Sequence, residues 1–116
     1  MTIVATSISE KALLATVLEL GEAYGWMVYH VMDTFPAARV TARGFPDLTM
    51  IRPEGGTLLF IELKSEKGRL SPEQKRYRDA LSNCEGCHYY LWRPSDLLDG
   101  TIEKHMKEGR CSNGTD

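Results

Sequence analysis

The hydrophobic period changes several times along the chain, and each change marks an element. Between Ser9 and Tyr24, Leu13, Leu14, Val17, Leu20, Gly21 and Tyr24 recur at helical spacing, with Ser9 placed to cap the first turn and Gly25 to end the helix. Trp26 to Val31, "WMVYHV", is aromatic and β-branched and reads as a strand. Asp33 to Gly44 shows no period and reads as a loop. Pro46 opens a second strand, "DLTMIR", since proline is tolerated at a strand's first residue. Pro53-Glu54-Gly55-Gly56 reads as a hairpin connection to a third strand, Thr57 to Lys64.

After the charged loop "SEKGRL", Ser71 followed by Pro72 predicts a helix running to about Ser82. Cys87 to Arg93 reads as a fourth strand stopped by Pro94, and Ser95 as the cap of a last helix through about Lys107. The order α-β-β-β-α-β-α predicts an α/β fold with helices on the faces of a sheet. The chain reads as a single domain over residues 1–107, followed by a flexible tail over 108–116.

The third strand breaks its own pattern. Leu58-Leu59-Phe60-Ile61 is apolar on both faces, as expected of a central strand, yet Glu62-Leu63-Lys64 follows at once. Side chains alternate, so Glu62 and Lys64 share a face at the strand's end. An unpartnered buried charge there costs several kcal/mol, so either the strand emerges into solvent or a site compensates the pair. Hairpin pairing brings Asp47 to the same end, because the Gly-Gly turn lies about midway between Asp47 and Glu62. Two converging carboxylates with room for water suit a hard cation such as Mg²⁺ (or Mn²⁺), and Lys64 could orient a water or offset charge growing on a phosphate.

Composition narrows the classes. A 42% apolar and 26% charged content is that of a globular chain, and a net charge of -2 excludes a uniformly basic coat. No run approaches the ~18 apolar residues of a membrane span, and the N-terminus has no signal-peptide pattern, so a cytoplasmic location and no membrane partner are expected. Cys84-Glu85-Gly86-Cys87-His88 matches a c-type haem attachment string. Its place between a helix and a strand, without an export signal, predicts ordinary thiols and no haem. From Lys64 to Arg78 six basic residues face two acidic ones. Of these, Lys67, Arg69 and Lys75, with Arg39 and Arg43 across the proposed site, are candidates to meet a nucleic-acid backbone.

Pro46-Asp47 followed by Glu62-Leu63-Lys64 is the pattern of the PD-(D/E)XK nuclease superfamily. The longer strings "GFPDL" and "FIELKSEKGRLSPEQ", with "YGWMVYH" and "LWRPSD", resemble the VRR-NUC (virus-type replication-repair nuclease) family, in particular its small stand-alone phage and bacterial members. The resemblance implies a restriction-endonuclease-like core with a mixed central sheet. It also implies a Mg²⁺- or Mn²⁺-dependent endonuclease acting on DNA. Asp47 and Glu62 would hold the cation with the Leu63 carbonyl, Lys64 would be the catalytic lysine, and Glu10 would hold or position the cation's water shell. Gln74 would sit beside the site, although Ser71-Pro72-Glu73-Gln74 is also a capping box in its own right. His30 matches a family position and reads as a supporting residue at most. The chain departs from many relatives in having Leu13 and Leu14 where an aromatic residue and a glutamine are frequent. Stand-alone relatives resolve branched DNA such as Holliday junctions as homodimers, which sets the expected substrate and assembly. Alternatives are a monomeric nickase or flap nuclease, and a nucleic-acid-binding module without catalysis.

Overall fold

A computed structural model describes residues 3–30 and 43–108. A short 3₁₀ turn, Ala5–Ser7, precedes helix α1, Glu10–Ala23. Three strands follow: β1 (Met27–His30), β2 (Leu48–Arg52) and β3 (Thr57–Leu63). Then come α2 (Pro72–Ser82), β4 (His88–Trp92), α3 (Pro94–Leu98) and α4 (Thr101–Glu108). Among the described residues the strands form one sheet in the order β1-β2-β3-β4. The first three are antiparallel, and β4 joins β3 in parallel. That last pairing requires a crossover, which α2 supplies. The α/β architecture, with helices flanking a mixed sheet, is as expected.

Alternation along the strands divides the sheet into unequal faces. Leu48 and Met50 from β2, Leu59, Ile61 and Leu63 from β3, and Trp92 from β4 are buried with Leu13 and Val17 of α1 and Ile102 and Met106 of α4. Each such aliphatic side chain contributes about 1.5–3 kcal/mol of burial free energy. The opposite face is thinner. Its cover, α2, has no buried residue, and Leu58 and Phe60 stay half-buried. Apolar residues on both faces of β3 predict cover on both sides, whereas β3 is fully enclosed only on the face toward α1 and α4. The α2 segment "PEQKRYRDALS" has too few apolar residues to seal the other.

The last predicted helix is two short ones. Pro94 occupies the first turn of α3 rather than merely ending β4, and the cap is Arg93, whose N–H donates to Asp96 Oδ2 at 2.8 Å. Ser95 is therefore not the cap. The chain turns at Gly100 (φ +86°), and α4 begins with the Thr101 N–H donating to Asp99 Oδ1 at 2.9 Å. Glu108 still belongs to α4, and residues 109–116 lie outside the described part. The predicted loop from Asp33 to Gly44 also lies largely outside it, Arg39 included.

Candidate active site

The predicted register is observed. Leu48 pairs with Ile61 and Thr49 with Phe60, so the next step places Asp47 opposite Glu62, at the open end of the hairpin. Asp47 is held there from both directions. Its Oδ2 accepts the Leu63 N–H at 2.8 Å, which spends one carboxylate oxygen on the strand that carries Glu62. Upstream, Phe45 packs edge-on against Phe60 (5.7 Å between centroids) and Tyr77 (5.3 Å), and Pro46 is buried. Gly44 is required at its position. Its φ is +89°, and a Cβ there would lie 2.6 Å from the Glu73 carbonyl oxygen. The segment leading to Asp47 is thus pressed onto the first turn of α2.

Glu62 is 2% exposed. Gln74 Nε2 donates to its Oε2 at 3.0 Å. Gln74 Oε1 accepts the Ser71 N–H at 2.8 Å, while Ser71 Oγ accepts the Gln74 N–H at 3.1 Å. Gln74 thus makes two kinds of contact at once: its oxygen closes the capping box, and its amide nitrogen reaches the acid. Burial, the charge of Asp47 and a hydrogen bond between the two carboxyls push Glu62 up to about 8, with Lys64 acting against the shift and Glu10 adding to it. Glu10 itself is raised, first by partial burial and then by Asp47, with Lys64 again opposing. Four charged groups therefore feel one another: Glu10, Asp47, Glu62 and the half-buried Lys64.

A cleft of about 380 Å³ opens beside them, lined by Glu10, Lys11, Leu14, His30, Asp47 and Leu63. Glu10 stands at its rim as the first residue of α1, capped by Ser9, whose Oγ accepts the Ala12 N–H at 3.0 Å. Glu19 and Glu22 are exposed and line no part of it. Leu13 is fully buried in the core, and Leu14 borders the cleft. His30 shares the lining. Among the described residues no three Asp, Glu, His or Cys side chains form a metal cluster by themselves. The donors gathered here are oxygens, and a neutral amide offsets only part of the cost of burying the Glu62 carboxylate. The set fits a hard divalent cation bound by few side chains, with backbone oxygen and water completing the shell.

Lys67, Arg69, Lys75 and Arg43 are exposed. The loop carrying Lys67 is fixed by Arg93, which follows the last residue of β4. Arg93 Nη1 donates to the carbonyls of Ser65 (2.8 Å), Glu66 (3.1 Å) and Gly68 (2.7 Å). Glu66 in turn accepts the Ser95 N–H at 3.0 Å. Nothing in the local pattern singles out Arg93 except its place in the "LWRPSD" string. Cys84 and Cys87 lie in the connection from α2 to β4. The Cys84 thiol donates to the Ala80 carbonyl (3.3 Å) and that of Cys87 to the Leu81 carbonyl (3.7 Å), as local caps on the helix end.

A family profile described as the VRR-NUC domain matches residues 28–93, more than half of the chain, from the second residue of β1 to Arg93. The chain belongs to the VRR-NUC family. Membership implies a nuclease-type function with DNA as substrate, and the matched span contains Asp47, Glu62, Leu63, Lys64 and Gln74. Glu10, on α1, lies outside it. A solved structure described as a "VRR_NUC domain" is similar with a TM-score of 0.59 over 85% of this chain and 96% of that one. At 20% identity that likeness speaks for the VRR-NUC fold. No curated protein matches. No helix among the described residues of this VRR-NUC domain is long and apolar enough to cross a membrane.

Proposed function

We propose that this VRR-NUC protein is a divalent-cation-dependent endonuclease that hydrolyses DNA phosphodiesters, with branched DNA such as a four-way junction as its substrate and a homodimer as its working form. The observation that carries the reading is the pairing of Asp47 with a buried, amide-held Glu62 at the end of β2 and β3, with Lys64 beside them. Asp47 and Glu62 would hold Mg²⁺ or Mn²⁺ with the Leu63 carbonyl, and Glu10 would reach the cation's water from the rim. When bound, the cation supplies a polarised phosphate oxygen and a more acidic water.

The chain's own groups supply the rest. Gln74 fixes the Glu62 carboxylate so that it is aimed before the cation arrives, and the Leu63 N–H does the same for Asp47. Lys64 orients the attacking water and offsets negative charge that grows on the phosphate oxygens. Lys67 and Arg69, on the loop braced by Arg93, meet the phosphates as they enter, and the exposed Arg43 and Lys75 are further candidates, as is Arg39, which lies outside the described residues. The candidate contacts are all lysines and arginines without a base-reading sequence pattern, which supports recognition by backbone and shape.

A monomer presents one site, and paired cuts across a symmetric junction need two, which is the support for a dimer. The reading is tested by incubating the protein with duplex, nicked, flap and four-way-junction DNA in Mg²⁺, Mn²⁺ or EDTA. Cation-dependent, paired cutting of the junction is expected. Cutting of flaps alone would replace the resolvase with a flap nuclease, and binding without cutting in every condition would leave a non-catalytic module.

A further inference from the structure

Tyr89, on β4, is a polar residue on the Glu62 side of the sheet with no part in the proposed cation site. Its hydroxyl oxygen is buried, and among the described residues it has no hydrogen-bond partner. An unpaired buried hydroxyl costs about 1–3 kcal/mol, and such groups are normally satisfied by an internal water. Its position in the sheet says what that water would serve. In the parallel β3–β4 pair, Phe60 lies beside Tyr89 and Glu62 beside Leu91. Alternation then puts Tyr89 and Glu62 on the same face, one diagonal step apart, under α2. That helix already sends Gln74 to Glu62, and one turn further on carries Arg78. The hydroxyl is held near 12, by burial first and by the Glu62 charge second, with Arg78 opposing, so it stays a donor at any working pH.

We propose that Tyr89 is a positioning residue for Glu62, its hydroxyl donating through one buried water to the carboxylate that Gln74 holds from the other side. Glu62 then has two donors fixing its orientation, one from α2 and one from β4. The inference rests on the cation reading of the site, because its consequence is a carboxylate already aimed at the cation.

Tyr89→Phe removes the hydroxyl and keeps the ring. Three quantities are measured on the wild type and on this variant: cation-free Tm, Mn²⁺ affinity by calorimetry, and kcat and KM on whichever DNA the wild type cuts. The expected result is an unchanged or raised Tm, about tenfold weaker Mn²⁺ binding, and a lower kcat at unchanged KM. Unchanged Mn²⁺ affinity would make the hydroxyl a spectator, and a clear fall in Tm would make it a structural hydrogen bond; either overturns the inference while leaving the nuclease reading in place. Absence of Mn²⁺ binding by the wild type would overturn the parent reading and this one with it.

Discussion

Glu62 is the residue on which stability and chemistry conflict. A carboxyl near 4.5 in the unfolded chain and near 8 in the folded one keeps its proton on folding across that whole interval. The folded state therefore binds more protons than the unfolded state, and the stability this group contributes falls as pH rises from about 4.5 to about 8. A divalent cation bound as proposed would reverse the effect by stabilising the ionised form. In cation-free buffer, the Tm should decline over that interval, and Glu62→Gln should flatten the decline and raise the Tm at pH 8. Adding Mn²⁺ at pH 8 should raise the Tm of the wild type and leave that of Glu62→Gln unmoved. An equal Mn²⁺ response in both proteins would remove Glu62 from the cation site. His105 acts in the opposite sense at lower pH. Its ring nitrogen Nδ1 accepts the Trp92 indole N–H at 3.1 Å, and burial lowers its pKa, so its contribution is lost as pH falls through that lowered value. Comparison with Glu62→Gln separates the two groups.

Helix α2 joins folding to the site through one side chain. Ser71 and Gln74 close the capping box, and the Gln74 amide continues to Glu62. Ser71→Ala should cost about 1 kcal/mol in stability and leave turnover near the wild-type rate. Gln74→Glu keeps an acceptor for the Ser71 N–H but sets a carboxylate against Glu62, and should lower activity by about 10–100-fold with a smaller effect on the helix. Urea melts and turnover rates check both, and equal activity losses in the two variants would contradict the division. Much at this scale was legible. Local periods marked every described strand, the Gly-Gly turn fixed the β2–β3 register, and Ser71-Pro72 gave the helix start. What escaped has physical reasons. The break at Gly100 depends on a backbone φ of +86° that one glycine permits but does not announce. The half-open face reflects how little apolar surface α2 brings, which no single strand records. Arg93 and Tyr89 matter only through partners distant in sequence.

Across the whole molecule, the open end of the β2–β3 hairpin, the first turn of α1 and the first turn of α2 meet at one end of the sheet. The core that holds them lies on the opposite face from Glu62, so the site can carry charge without opening the core. One such site per chain is the reason to expect two chains. Light scattering at working concentrations should give the mass of a dimer, and a monomer that still makes paired junction cuts would contradict the assembly. Sequence pattern carried the fold class and the convergence of Asp47 with Glu62, and family resemblance carried the chemistry. The most direct test of that chemistry is single-turnover cleavage of a labelled four-way junction in Mg²⁺ by the wild type and by Asp47→Asn. The account predicts cation-dependent cutting by the wild type, abolished by EDTA, and a rate for Asp47→Asn lower by at least about 100-fold with junction binding retained. Cutting that survives EDTA, or that Asp47→Asn leaves intact, would contradict it.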